Sequence, residues 1–169
     1  MVDLDVRKVK KNIKILEKLE KSSALEIELA RKLALIECCG WIEEKMHHMI
    51  FNYIDKNIIN NDLKETAKKS IRKISFGFRY PEFKEKLIAT LGEIEIIKIE
   101  KCIKKKTQFD FEHFKQVLSE LKNKRDSYAH TYSRIGTMTT HLGFYQLYQK
   151  LDDVNKGLKM FQLFVKRRE

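Results

Sequence analysis

Apolar residues recur along most of this chain in steps of three and four, the period of an α-helix and not of a strand. Within residues 3–21, Val6, Val9, Ile13, Leu16 and Leu19 make one narrow stripe among lysines, which predicts a surface-lying amphipathic helix. From Ala24 to about Ile59 apolar groups cover most of the circumference, above all between Leu33 and Trp41, so a long helix is expected in the middle of a bundle or at a subunit contact. Ser23 followed by Glu26 predicts a capping box at its start. Gly40 lies inside this helix, where it lowers helix propensity by about 1 kcal/mol relative to alanine and leaves room for a close helix approach.

Asn60–Asp62 breaks the pattern, and Asp62 is expected to cap a short helix running to about Ser75. FGFRYP then makes a turn, because Pro81 fixes its own φ and disfavours helix at Tyr80. Residues 82–90 are again helical. In 92–106 the run EIEIIKIE partly alternates as a strand would, yet no second strand is evident to pair with it, and a helix is predicted. Phe111, Phe114, Val117, Leu118 and Leu121 define a helix over 109–129, SRIGTMTT a polar connection, and Leu142, Tyr145, Leu147, Leu151, Val154, Leu158, Phe161 and Phe164 a last helix over 141–165. No internal repeat or low-complexity linker divides the chain. The expectation is an all-α, single-domain helical bundle over residues 1–169 with a long central helix.

Composition narrows the class of function. One proline and six glycines in 169 residues leave little room for the turns of a β-sandwich or barrel. The formal net charge of +11, from 35 basic and 24 acidic residues, points to a polyanionic partner such as nucleic acid. Between Lys64 and Lys106 there are 13 basic and 6 acidic residues, a basic face able to track phosphates, with KKK at 104–106 within it. The alternative is that this short run is only a solvated helix end. Cys38, Cys39 and Cys102 form neither an even framework nor a C-x-x-C pair and read as buried, reduced thiols of a cytoplasmic protein. The first residues lack the apolar core of a signal peptide, and no run reaches membrane-spanning length, so no membrane partner is expected.

Several chemistries lack their motifs. There is no G-x-G-x-x-G, no Walker lysine loop and no G-x-S-x-G elbow. Glu44-x-x-His47 has the spacing used in di-iron bundles, but the second such pair has only Asp110-x-x-His113 as an approximate stand-in; no metal and no cofactor are expected. What remains is NKRDSYAHTY, residues 123–132. Leu118 and Leu121 should face the core and leave Arg125 and His130 at the polar end of their helix. As purely structural groups they would be a capping charge favoured by the helix dipole and a hydrogen-bonded histidine.

The segment LSELKNKRDSYAHTY resembles the motif-bearing helix of HEPN domains, whose ribonuclease members carry R-x4–6-H. LALIECCGWIEEKMHHMI and FGFRYPEF are similar to segments of the branch associated with ribonuclease LS and anti-phage proteins. The resemblance spans residues 20–165. It implies a metal-independent endoribonuclease, a toxin or phage-defence effector, with Arg125 and His130 catalytic and Asp126 and Tyr128 supporting them. Members of the family commonly carry asparagine where this chain has Asp126. Lys104, Lys105, Lys106, Lys122 and Lys124 would bind the RNA backbone. Tyr132 completes R-x4-H-x-Y, which in HEPN toxins is modified with AMP by a partner nucleotidyltransferase; an antitoxin or nucleotidyltransferase partner is therefore implied, and a packing tyrosine is the alternative. Positions 125 and 130 lie about 140° apart around a helix. A symmetric homodimer that brings two arginines and two histidines to one cleft is the arrangement the resemblance implies. The other function implied is a non-catalytic HEPN module that binds RNA, a nucleotide or a partner protein.

Overall fold

A computed structural model describes residues 4–21, 23–74, 77–106, 109–130 and 142–166, and of Glu20, Lys21, Lys106, Ala129, His130 and Lys166 the backbone alone. The chain is all-α, and no strand occurs among the described residues. In order the helices are α1 (Val6–Glu17, followed by a 3-10 turn over Lys18–Lys21), α2 (Ala24–Asn57), α3 (Asn61–Ile74), α4 (Tyr80–Leu91), α5 (Glu93–Lys106), α6 (Phe111–His130) and α7 (Phe144–Lys166). No helix of the described chain is long and apolar enough to cross a membrane.

Local chemistry sets most of the boundaries. Asp5 caps α1 by accepting from the Arg7 amide at 2.9 Å. The capping box of α2 forms as the spacing requires: the Ser23 amide donates to the Glu26 carboxylate at 2.9 Å, and Ser23 Oγ accepts from the Glu26 amide. Asn60, not Asp62, caps α3, its side-chain oxygen accepting from the Leu63 amide at 3.1 Å. Helix α4 begins at Tyr80 despite Pro81, because a proline in the first turn loses only an amide that would be unbonded there anyway. Gly92, at φ 85°, ends it. The ambiguous stretch at 92–106 is helical: Ile96, Ile99 and Ile103, spaced three and four apart, are buried, while Ile94 and Ile97 are exposed.

Helix α2, 34 residues long, packs against α1, α3, α4, α6 and α7. Ala34, Leu35, Cys38, Cys39, Ile42, Met46 and Ile50 bury its inner face. Helix α6 brings Phe114, Val117, Leu118 and Leu121 to α7, where Leu151, Val154, Leu158 and Phe161 meet them. Tyr145, read as part of the last apolar stripe, is instead exposed. Gly40 makes no close helix approach within the chain; nothing lies within 4 Å of where its Cβ would stand.

Candidate functional site

The polar end of α6 sits over α2. Arg125 donates from Nη1 to Glu43 Oε1 of α2 at 2.5 Å, and its Nε lies 3.5 Å from Asp126 Oδ1. Below it the Phe78 ring, wholly buried, lies with its centroid 5.2 Å from the guanidinium carbon. A planar cation clamped between a carboxylate and an aromatic face keeps its orientation without help from solvent. Arg125 also lines a cleft of 560 Å³, together with Glu43, Glu44, His47, Arg72, Gly77 and Lys86. Burial works against the Arg125 charge, but the Glu43 carboxylate outweighs it and holds the group cationic.

One turn further along α2 from Glu43 stands His47. Its ring stacks on Phe51 at 5.6 Å, nearly parallel, and its Nε2 accepts from the Lys86 ammonium at 3.1 Å. That bond puts the ring proton of the neutral imidazole on Nδ1. Burial first, and the Lys86 charge second, push the His47 pKa below its ordinary value of 6.5. With an ammonium occupying Nε2, the Glu44-x-x-His47 spacing is turned to another use than a metal pair. Asp110 and His113 are committed elsewhere: Asp110 caps α6 through the His113 amide at 2.9 Å, and His113 faces Asp153 at 3.2 Å. No group of three or more metal-ligating side chains occurs among the described residues.

The residues singled out from the sequence separate in space. Arg125 and His130 lie on the same helix, as expected, and the His130 side chain falls outside the described residues, as does Tyr132. Asp126 touches Arg125 but binds chiefly Lys122, whose ammonium holds the Asp126 carboxylate below its usual pKa. Lys122, expected at the RNA backbone, is buried and forms an i,i+4 ion pair with Asp126. Tyr128 packs in the core, and burial raises its pKa. Lys104 lies over Phe111 at 5.4 Å and 3.6 Å from Glu112, and Lys105 is exposed. The Lys106 side chain lies outside the described residues, and Lys124 lines a different cleft between α6 and α7. Cys38 and Cys39 are buried, and burial pushes the Cys39 thiol up to about 12, so neither offers a thiolate.

Sequence reading missed Glu43, Arg72 and Lys86. For Lys86 a signal existed: it falls three residues after Phe83 and next to Leu87, on the buried side of α4. A lysine in a core register is a residue with a task. No family model, curated protein or solved structure matches the chain.

Proposed function

We propose that the chain is a metal-independent endoribonuclease of HEPN type, a toxin or phage-defence effector acting as a homodimer. The observation that carries this reading is the clamped Arg125, which lines an open cleft at the end of the motif-bearing helix. In the reaction the RNA 2′-hydroxyl attacks the adjacent phosphorus, forming the P–O2′ bond and breaking P–O5′. One histidine takes the 2′ proton and another returns a proton to the leaving oxygen. Arginine stabilises the charge that builds on the phosphoryl oxygens. A single chain supplies one Arg125 and one His130, about 140° apart, and two copies supply the pairs that the chemistry uses.

The surface of α2 supports the dimer. Positions 29, 33, 36, 40, 43 and 47 alternate in steps of four and three, the seam of a helix that packs against a second one. At one end Leu29, Leu33 and Ile36 are 53%, 47% and 45% exposed, too much apolar surface in one line to be incidental. In the middle stands Gly40 with open space beside it. At the other end Glu43 and His47 line the cleft beneath Arg125. A second copy seated on the apolar part would lie against the mouth of that cleft, with Gly40 permitting close approach.

The competing reading is a binding module without catalysis. The Glu43 pair favours it, because a carboxylate on Arg125 competes with phosphate. Purified protein incubated with RNA in EDTA decides: the nuclease leaves 2′,3′-cyclic phosphate ends, and Arg125→Ala and His130→Ala each abolish them. Full activity in both variants, or unchanged cleavage by a monomeric Leu33→Asp/Ile36→Asp protein, overturns the proposal. Salt-sensitive RNA binding without cleavage identifies the module instead.

A further inference from the structure

Lys86 is buried at 3% exposure, yet it forms no ion pair among the described residues. Among the described residues its ammonium hydrogen-bonds to the neutral His47 imidazole alone, at 3.1 Å. The carboxylates of Glu43 and Glu82 act on it through space without reaching bonding distance, and burial drives its pKa down. An ammonium removed from water and given only a neutral acceptor is costly unless something anionic arrives. The cleft it lines carries two more cations, Arg72 and Arg125, against Glu43 and Glu44. The Glu43 carboxylate is already bonded to Arg125, and Glu44 is exposed. Phe51 ties two of the lining residues together: it stacks with His47 and holds the Arg72 guanidinium 5.1 Å from its centroid.

We infer that the cleft between α2, α3, α4 and α6 is a phosphoryl-binding site, with Lys86 at its floor, Arg72 and Arg125 on its walls and His47 as a proton-bearing contact to a phosphoryl oxygen. The site requires no cleavage chemistry and stands if the chain binds phosphoryl groups without cutting RNA. A phosphate oxygen close to Lys86 replaces the imidazole as acceptor of the ammonium. Nε2 is then free to take a proton and donate it to a second oxygen. The phosphoryl group is either an internucleotide diester or the terminal phosphate of a nucleotide.

Histidine side-chain NMR on the full chain at pH 7 tests this with inorganic phosphate as the probe. Phosphate should shift the His47 ring resonances saturably and move the ring toward its protonated form. Lys86→Met keeps the length of the side chain without its charge and should weaken the response by about tenfold or more, the loss of one charge-assisted bond. Exposed Arg72→Gln, which leaves the core untouched, should weaken it by about threefold to tenfold. Competition identifies the source: displacement by the dinucleotide ApA, which has no terminal phosphate, marks a diester site, and displacement by AMP alone marks a nucleotide site. A wild-type His47 that ignores phosphate, or an Arg72→Gln protein that responds as strongly as wild type, overturns the inference. RNA cleavage by the same samples is read separately, so loss of the phosphate response with intact cleavage strikes this site and leaves the nuclease reading standing.

Discussion

Two regions share helices α4 and α6 and are built on opposite rules. Between α4, α6 and α7 lies an aromatic layer: Tyr80 meets Phe111 edge-on at 5.0 Å, Phe83 meets Phe161 at 5.5 Å, and Phe114 lies 6.1 Å from Phe161. Its one polar atom, the Tyr80 hydroxyl, donates to Glu100, which Lys84 pairs at 2.8 Å. The cleft between α2, α3, α4 and α6 gathers cations around a buried lysine that pairs directly with no carboxylate among the described residues. The first region satisfies the polar group it buries; the second leaves a buried charge hydrogen-bonded but without an ion-pair partner among the described residues. Cores are selected to be complete, and sites are left open where a ligand completes them.

The comparison breaks most visibly in the aromatic layer. Phe161→Ala should lower unfolding free energy by about 3–5 kcal/mol, since its ring is wholly buried among four others. Gly157→Ala should cost about 1–3 kcal/mol, because the added Cβ would stand 2.3 Å from the Phe114 ring. That ring has no room to retreat, with Phe109, Phe111, Tyr80 and Phe161 around it. Urea melts of both variants measure this; a Gly157→Ala protein as stable as wild type means the layer packs more loosely than its geometry states.

The cleft should answer with the opposite sign. Lys86→Met removes a charge that is buried without a counter-ion and leaves an apolar chain of similar length. Stability should rise by about 1 kcal/mol, while phosphate binding falls. A loss of stability in this variant would show that Lys86 belongs to the fold in the same sense as Phe161, and the contrast between the two regions would disappear.

How much of each region was legible in the chain follows from the range of the interactions. The aromatic layer rests on periodicity, and Phe111, Phe114, Val117, Leu118 and Leu121 announced the buried face of α6 directly. The capping box at Ser23 was equally local. The stretch EIEIIKIE, predicted as helix despite its partial alternation, is helical, with Ile94 and Ile97 the exposed isoleucines beside the buried Ile96, Ile99 and Ile103. The cleft is a convergence of four helices, and no local pattern relates Glu43 to Arg125 across 82 positions. Lys122 differs from both: its ion pair with Asp126, four residues later, is a local one that the spacing along a helix makes visible.

The smallest expected effect lies in the pH dependence of stability and tests the cleft at its weakest coupling. The His47 pKa in the folded chain lies below the value of 6.5 it has when exposed, through burial and then through Lys86. Between those two values the unfolded chain binds more protons than the folded one, so stability rises with pH across that window. The stabilisation is complete above about pH 6.5 and declines as pH falls toward the folded midpoint. Carboxylates held low by their partners, Glu100 by Lys84 and Tyr80 and Glu120 by Lys150, lose their contribution only below their ordinary value of 4.5, so the His47 window opens at a higher pH than theirs. Burial, the Lys86 charge and, more weakly, the Arg72 charge lower the His47 pKa; Lys86→Met removes the second of these, and its slope near pH 6 should be shallower than that of wild type in melts at matched ionic strength. His47→Gln should abolish that slope. An unchanged slope in His47→Gln would mean that another group titrates there and that the Lys86–His47 bond carries no linkage to folding.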